Sequence, residues 1–200
     1  MQEDLREVAR KHSRDMAKKD YFSHTNHQGK SPSDRLKKAR VTDAISGENL
    51  AKIGGFAHPT VRAEIGLMNS PGHRANILNT KYNCVGMGVV KSATRIYYYT
   101  QNFAKRELLF QKKPKSKTTL KKGLIIEGKT LRSIKEIIIE VSQPHSKKEI
   151  HRIHVTKKKF KSTIPFPEHG HYEIKCYIQH KTKYLMANSF QTRVLKSWWG

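Results

Sequence analysis

Leu5, Val8, Ala9, His12 and Met16 recur at helical spacing, and the charged residues between them fall on the opposite side. This pattern predicts an amphipathic helix from the start of the sequence to near Asp20. Tyr21, Phe22, Ser23 and His24 then lead into a turn-rich stretch from Thr25 to Ser33, which holds Gly29 and Pro32. Helical pattern resumes over Glu48 to Lys52, and again behind Pro59 through Val61, Ile65 and Met68, until Pro71 and Gly72 end it. His73 to Leu78 reads as a short helical turn. Val85, Met87 and Val89, and the aromatic run from Ile96 to Phe103, read as strands.

From Lys105 to Lys122 both periods lapse, and polar sequence such as KKPKSK reads as a connection between domains. Beyond it period-two runs dominate: Ile137, Ile139 and Val141; Ile153 and Val155; Tyr172, Ile174, Cys176 and Ile178. The expectation is an α+β chain with a mixed domain over 1–107 and a smaller all-β domain over 108–200. Turn signals at Gln143-Pro144 and Glu168-His169-Gly170 suit an antiparallel sandwich of immunoglobulin or fibronectin type.

Charge adds a partner class. Forty basic residues against 16 acidic ones give a net charge of +24 over 200 residues, a field that gathers polyanions. The basic set is 28 Lys and 12 Arg, and residues 108–200 carry +15 of the total. Lysine is the poorer residue for bidentate base readout, and no RNA-recognition, helix-turn-helix or zinc-finger spacing occurs. Lys112 to Lys117 and Lys157 to Lys159 suit phosphate contacts without base reading, but a solvated lysine face explains them as well, so non-specific nucleic-acid binding ranks last and an anionic cell-wall polymer or lipid surface is the expected partner. Cys84 and Cys176 form no CxxC pair, so no cysteine zinc site is available. No stretch reaches the roughly 20 apolar residues of a membrane span, and no signal-peptide pattern is present.

Candidate chemistry gathers in three strings, YFSH at 21–24, GENLA at 47–51 and SPGHRANIL at 70–78. His24, Glu48 and His73 are 24 and 25 positions apart and can meet only through the tertiary fold. Two imidazoles and a carboxylate supply three zinc ligands with a position open for water, or equally a metal-free hydrogen-bond network. Ser23 and Ser70 flank the histidines without the GxSxG elbow of a serine hydrolase. His145, His151, His154, His169 and His171 read as strand or loop histidines.

The strings VARKHSRDMAKKDYFSH, GENLA, SPGHRANIL and YYYTQNF, in that order, resemble the bacterial branch of the CAP superfamily (cysteine-rich secretory proteins, antigen 5 and pathogenesis-related proteins) over about residues 4–104. The resemblance implies an α-β-α sandwich, secretion or attachment to the envelope, and a cleft lined by two His and two Glu that binds a divalent metal in some members. His24, His73 and Glu48 match three of those positions. At the second glutamate the sequence departs: Leu67 stands at the family's Trp position and Ser70 where Glu falls, leaving Glu64, one turn earlier, as the substitute. Gln101, in TQNF, matches a strand beneath the cleft and is a candidate supporting donor. The resemblance also implies further helical residues ahead of Leu5.

The functional expectation is a secreted binding module. Its cleft (His24, Glu48, His73, Gln101, Ser70, Glu64) takes a small or extended ligand, or zinc held weakly by His24, His73 and Glu48. Its basic β domain attaches to an anionic surface. A metal-dependent hydrolase using the same cleft is the alternative, so enzymatic activity stays open.

Overall fold

The computed structural model describes residues 2–144 and 146–197, so His145 lies outside the described residues. The chain divides into two compact units. One runs up to Val41 and resumes over Ile45–Lys105; the other takes Thr42–Ala44 and the chain from Arg106 onward.

In the first unit the elements are α1 (Glu3–Lys19), α2 (Pro32–Lys38), β1 (Ile45–Ile53), α3 (Pro59–Asn69), α4 (Pro71–Ile77), β2 (Cys84–Lys91) and β3 (Tyr97–Lys105). Helix α1 buries Leu5, Val8, Ala9, His12, Ser13 and Met16, the stripe its periodicity predicts. Glu3 and Asp4 in its first turn and Lys18 and Lys19 in its last complement the helix dipole. It stops at Asp20, whose φ of 46° turns the backbone left-handed. Helix α2, too short for periodicity to reveal, starts at a capping box between Ser31 and Asp34 with Pro at its first turn.

Glu48 to Lys52 is not helical. It lies within β1, which pairs with β3 in antiparallel register from Ile45↔Lys105 to Ile53↔Tyr97. Glu, Leu, Ala and Lys are good helix formers locally, but nine residues of sheet pairing outweigh a propensity of a few tenths of a kcal/mol each. The sheet order is β1-β3-β2, which leaves β1 at an edge.

Alternation along β3 assigns the two faces. Tyr98 packs with Met16, the Thr100 hydroxyl bonds Ser13 Oγ at 2.8 Å, and Ala104 packs with Leu5, so these residues face α1. Tyr99 lies on the other face, its hydroxyl 3.2 Å from Thr60 Oγ1 of α3. Helices therefore cover both faces of the sheet. Gly86 and Gly88 bring β2 directly against α1: a Cβ at either would strike the backbone of Leu5 and Arg6, or of Ala9 and Arg10. Ser13 Oγ fastens the contact by donating to Gly88 O at 3.1 Å.

The second unit is all β: β4 (Leu108–Phe110), β5 (Lys117–Thr119), β6 (Leu124–Thr130), β7 (Glu136–Ser142), β8 (Glu149–His154), β9 (Lys159–Ile164), β10 (Gly170–His180) and β11 (Lys183–Leu195). Its sheets have the orders β5-β11-β10-β7-β8 and β4-β6-β9. One core joins them, with Leu124, Ile126 and Phe160 from the smaller sheet and Ile137, Ile139, Ile174, Cys176 and Ile178 from the larger. The stretch from Lys105 to Lys122 is thus not a plain connection, since it holds β4 and β5. Strands of three residues are too short to show a period.

Strand β5 runs parallel to β11, and the Tyr172 hydroxyl at the start of β10 donates to Glu168 O at 2.9 Å. The Thr42–Ala44 segment bridges to the same unit at Asp43↔Asn188, and Asp43 accepts from Arg106 Nη2 at 2.6 Å. Burial pushes the Cys176 thiol up to about 12, leaving it a packing group.

Candidate functional site

His24 sits in the loop that follows α1, and three contacts hold that loop. The Tyr21 hydroxyl donates to Asp15 Oδ2 at 2.6 Å, Tyr21 stacks on His27 with centroids 4.3 Å apart, and His12 Nε2 lies 3.0 Å from Ser23 O. Since a carbonyl can only accept, His12 carries its proton on Nε2, and its buried Nδ1 has no partner among the described residues. Burial, and then the Arg35 charge, hold the His12 pKa below the ordinary histidine value. Burial and the bond to Asp15 push the Tyr21 phenol upward.

Glu48 is the anchor of the cluster. Its side chain is 2% exposed, on the α1 face of β1. Oε1 lies 2.8 Å from His24 Nδ1, and Oε2 accepts from Arg35 Nη2 at 2.6 Å. The other end of the Arg35 fork donates to His24 O at 2.6 Å and Lys30 O at 2.9 Å. One guanidinium therefore fixes both the carboxylate and the loop carrying its histidine. Asn102, opposite Glu48 in the sheet, completes the setting once its amide is oriented to satisfy both ends, donating to Glu48 Oε2 at 3.1 Å and accepting from Ala9 N at 3.2 Å.

A second polar cluster lies on the other face of β1. Asn49, fully buried, donates to His73 O at 3.0 Å and to Gln101 Oε1 at 3.2 Å, and accepts from Asn76 Nδ2 at 2.9 Å. Asn76 Nδ2 also reaches Glu48 O at 3.5 Å. His73 Nδ1 is 2.8 Å from Ser70 Oγ, one turn away in the sequence. Glu64 is exposed, at a small cavity of about 80 Å³ that it shares with Leu67, Tyr99 and Gln101.

The structure thus joins His24 to Glu48, His73 to Ser70, and Gln101 to Asn49, with no hydrogen bond between the His73 ring and the side chains of His24 or Glu48 among the described residues. Chemically, the first cluster is a histidine oriented by a buried carboxylate, its side chain 52% exposed and its Nε2 directed away from Glu48. The serine–histidine pair and the carboxylate–histidine pair are separate, so no Ser-His-acid triad is assembled.

The three-ligand zinc centre expected of His24, Glu48 and His73 is not assembled either. Among the described residues no group of three His, Cys, Asp or Glu is placed to hold a metal ion. The donor set explains this, because Oε2 of Glu48 already takes a full positive charge from Arg35, and a divalent cation there would meet that charge. His169 and His171 are exposed loop and strand residues, and His151 and His154 lie on β8.

Arg35, Asn49 and Asn76 escape sequence reasoning. Asn49 and Asn76 sit inside the GENLA and SPGHRANIL strings, where the ionisable neighbours draw attention first. Arg35 follows the capping box of α2 and carries no signal of its own role.

Residues 1–103 match the cysteine-rich secretory protein family, CAP, and the chain belongs to it. Two Bacillus subtilis (strain 168) proteins are similar over the same half. The "uncharacterized membrane protein YlbC" is 41% identical over 100 residues, which are 50% of this chain and 27% of that protein. The "uncharacterized protein YkwD" is 39% identical over 101 residues, 50% of this chain and 37% of that protein. The match thus spans about a quarter of the first relative and little more than a third of the second. Among solved structures, an extracellular protein containing a SCP domain from Bacillus anthracis str. Ames shares 36% identity at a TM-score of 0.45, covering 52% of this chain and 32% of that one. An outer surface protein from Borrelia burgdorferi shares 24% identity at a TM-score of 0.48, covering 53% of this chain and 76% of that one.

Proposed function

We propose that this chain is a secreted or envelope-associated binding protein, in which the CAP unit takes a small or extended ligand at its His/Glu cleft and the β unit attaches to an anionic wall polymer or lipid surface. The observation that carries the cleft reading is the exposed His24 ring fixed by the buried Glu48–Arg35 pair, because a pre-oriented polar group facing solvent is what ligand binding requires. His73, Ser70, Gln101 and Glu64 form the second wall in this reading. Strand β1 is at the sheet edge, so groups from its two faces can meet around it, and Asn76 already reaches from α4 to the Glu48 backbone. The relative named a membrane protein supports the envelope location.

For the β unit we infer an immunoglobulin-like sandwich. The two sheet orders, the parallel β5–β11 edge and the Tyr172 hydroxyl bonded four residues back support it. Its attachment surface is a cavity of about 910 Å³ beside β9, where Lys129, Lys157, Lys159 and Lys161 surround Phe110 and Phe160. Lys157 and Lys158 form the β8–β9 turn with φ of 49° and 63°, a conformation that glycine or asparagine adopts more readily. Lysine held there against its backbone preference points to a role for the charge.

Sedimentation of the full chain with bacterial cell walls tests the two parts together. Retention at low salt that falls on removal of the anionic polymers supports the β-unit reading. A residual, salt-resistant fraction lost in His24→Ala supports the cleft.

A further inference from the structure

We infer that Arg35 is a built-in cation that takes the place of a divalent metal at Glu48, so that the cleft works as a metal-free His24–Glu48–Arg35 array and presents His24 Nε2 as a hydrogen-bond acceptor. The inference deepens the cleft reading and rests on it for the site's role, but its test needs no ligand.

The geometry occupies both oxygens of the carboxylate. Oε1 is taken by His24 Nδ1 at 2.8 Å, and Oε2 by Arg35 Nη2 at 2.6 Å with Asn102 beside it at 3.1 Å. At 2% exposure Glu48 turns no open side to solvent from which a metal ion could gather further ligands. The Arg35 side chain is itself only 12% exposed and is pinned by the carbonyls of His24 and Lys30, so it cannot swing aside without releasing the loop. A positive charge 2.6 Å from the carboxylate oxygen also repels a second cation far more strongly in this shielded setting than it would in water.

The array has a definite proton arrangement. A carboxylate only accepts, so His24 Nδ1 carries the hydrogen toward Oε1 and, in the neutral ring, the lone pair lies on Nε2. The outward group is therefore an acceptor, suited to a ligand that offers an O–H or N–H. A bare carboxylate or an ether-rich surface offers no such partner. Asn49 and Gln101 lie on the other face of β1, bonded at 3.2 Å, so the outward contact of this cluster is His24.

Zinc titration of the full chain, followed by calorimetry and by ¹⁵N resonances of the His24 ring above the ordinary histidine pKa, is the test. The wild type should show an Nδ1–H tautomer at His24 that excess zinc leaves unmoved. Arg35→Met, which keeps the side chain long and removes the charge, should gain zinc affinity by about tenfold or more, and the gain should vanish in the Arg35→Met, His24→Ala double variant. Arg35→Lys, still cationic, should gain nothing. Movement of the wild-type His24 resonance by zinc, an Nε2–H tautomer, or equal zinc affinity in folded Arg35→Met and wild type would overturn the inference. If Arg35→Met does not fold, the two wild-type ring measurements decide alone. Loss of wall retention in His24→Ala addresses the ligand reading separately, and either can fail without the other.

Discussion

Arg35 Nη2 lies 2.6 Å from Glu48 Oε2, the carboxylate being 2% exposed and the arginine side chain 12%. The pair is short, shielded and further bonded at both ends, and these are the conditions under which loss of one partner leaves an uncompensated charge. Glu48→Gln should therefore destabilise the CAP unit by about 3 kcal/mol, read as a shift in the urea midpoint. A shift below about 1 kcal/mol would place the pair with ordinary surface bridges.

The contact of α1 with β2 allows no methyl group at Gly88, where an added Cβ would meet the Ala9–Arg10 backbone. Backbone cannot rotate out of the way as a side chain can. Gly88→Ala should cost about 2 kcal/mol or more by overpacking, whereas Gly72→Ala, with nothing within 4 Å of its added Cβ, should be near neutral. Equal urea midpoints for the two variants would contradict the packing described.

His12 couples the stability of α1 to pH. Burial holds its folded pKa below the ordinary value of 6.5, so around that pH the unfolded chain binds more protons than the folded one. Stability from this group is then complete above the unfolded pKa and is lost as pH falls through the folded one. The wild type should lose stability on going from about pH 7.5 to about 5, and His12→Asn should show a shallower loss. A wild-type curve that rises on acidification across this window would contradict the buried neutral histidine.

Much of the fold is legible along the chain, and the exceptions have a common cause. Helix α1, β7 and β10 announce themselves because a single face is buried over many residues. Strand β1 does not, because Glu48 to Lys52 favours a helix until β3 supplies its partner. The short β4 and β5 hide in a lysine-rich stretch for want of length. At the site the ionisable residues are visible in GENLA and SPGHRANIL. Their partners are not, since the pairing of Glu48 with Arg35 and Asn102 depends on tertiary placement and sheet register. Of the three-residue metal set, the structure brings His24 and Glu48 into contact and leaves the His73 ring with Ser70.

Lys157 and Lys158 offer a case where stability and attachment should move in opposite directions. Replacing both with glycine relieves the left-handed backbone and should stabilise the β unit by about 1 kcal/mol in total. The same variant should bind anionic vesicles or wall polymer more weakly at low salt, having lost two charges beside the cavity at β9. Stabilisation with undiminished binding would move the attachment surface elsewhere.

Whether this is a surface-attached binding protein is measured most directly by co-sedimentation of the full chain with bacterial cell walls. With a net charge of +24, retention should fall steeply between about 50 and 200 mM salt by counterion release and drop when the anionic polymers are stripped. A salt-resistant remainder should disappear in His24→Ala. Retention indifferent to salt, to polymer removal and to His24 would contradict that role.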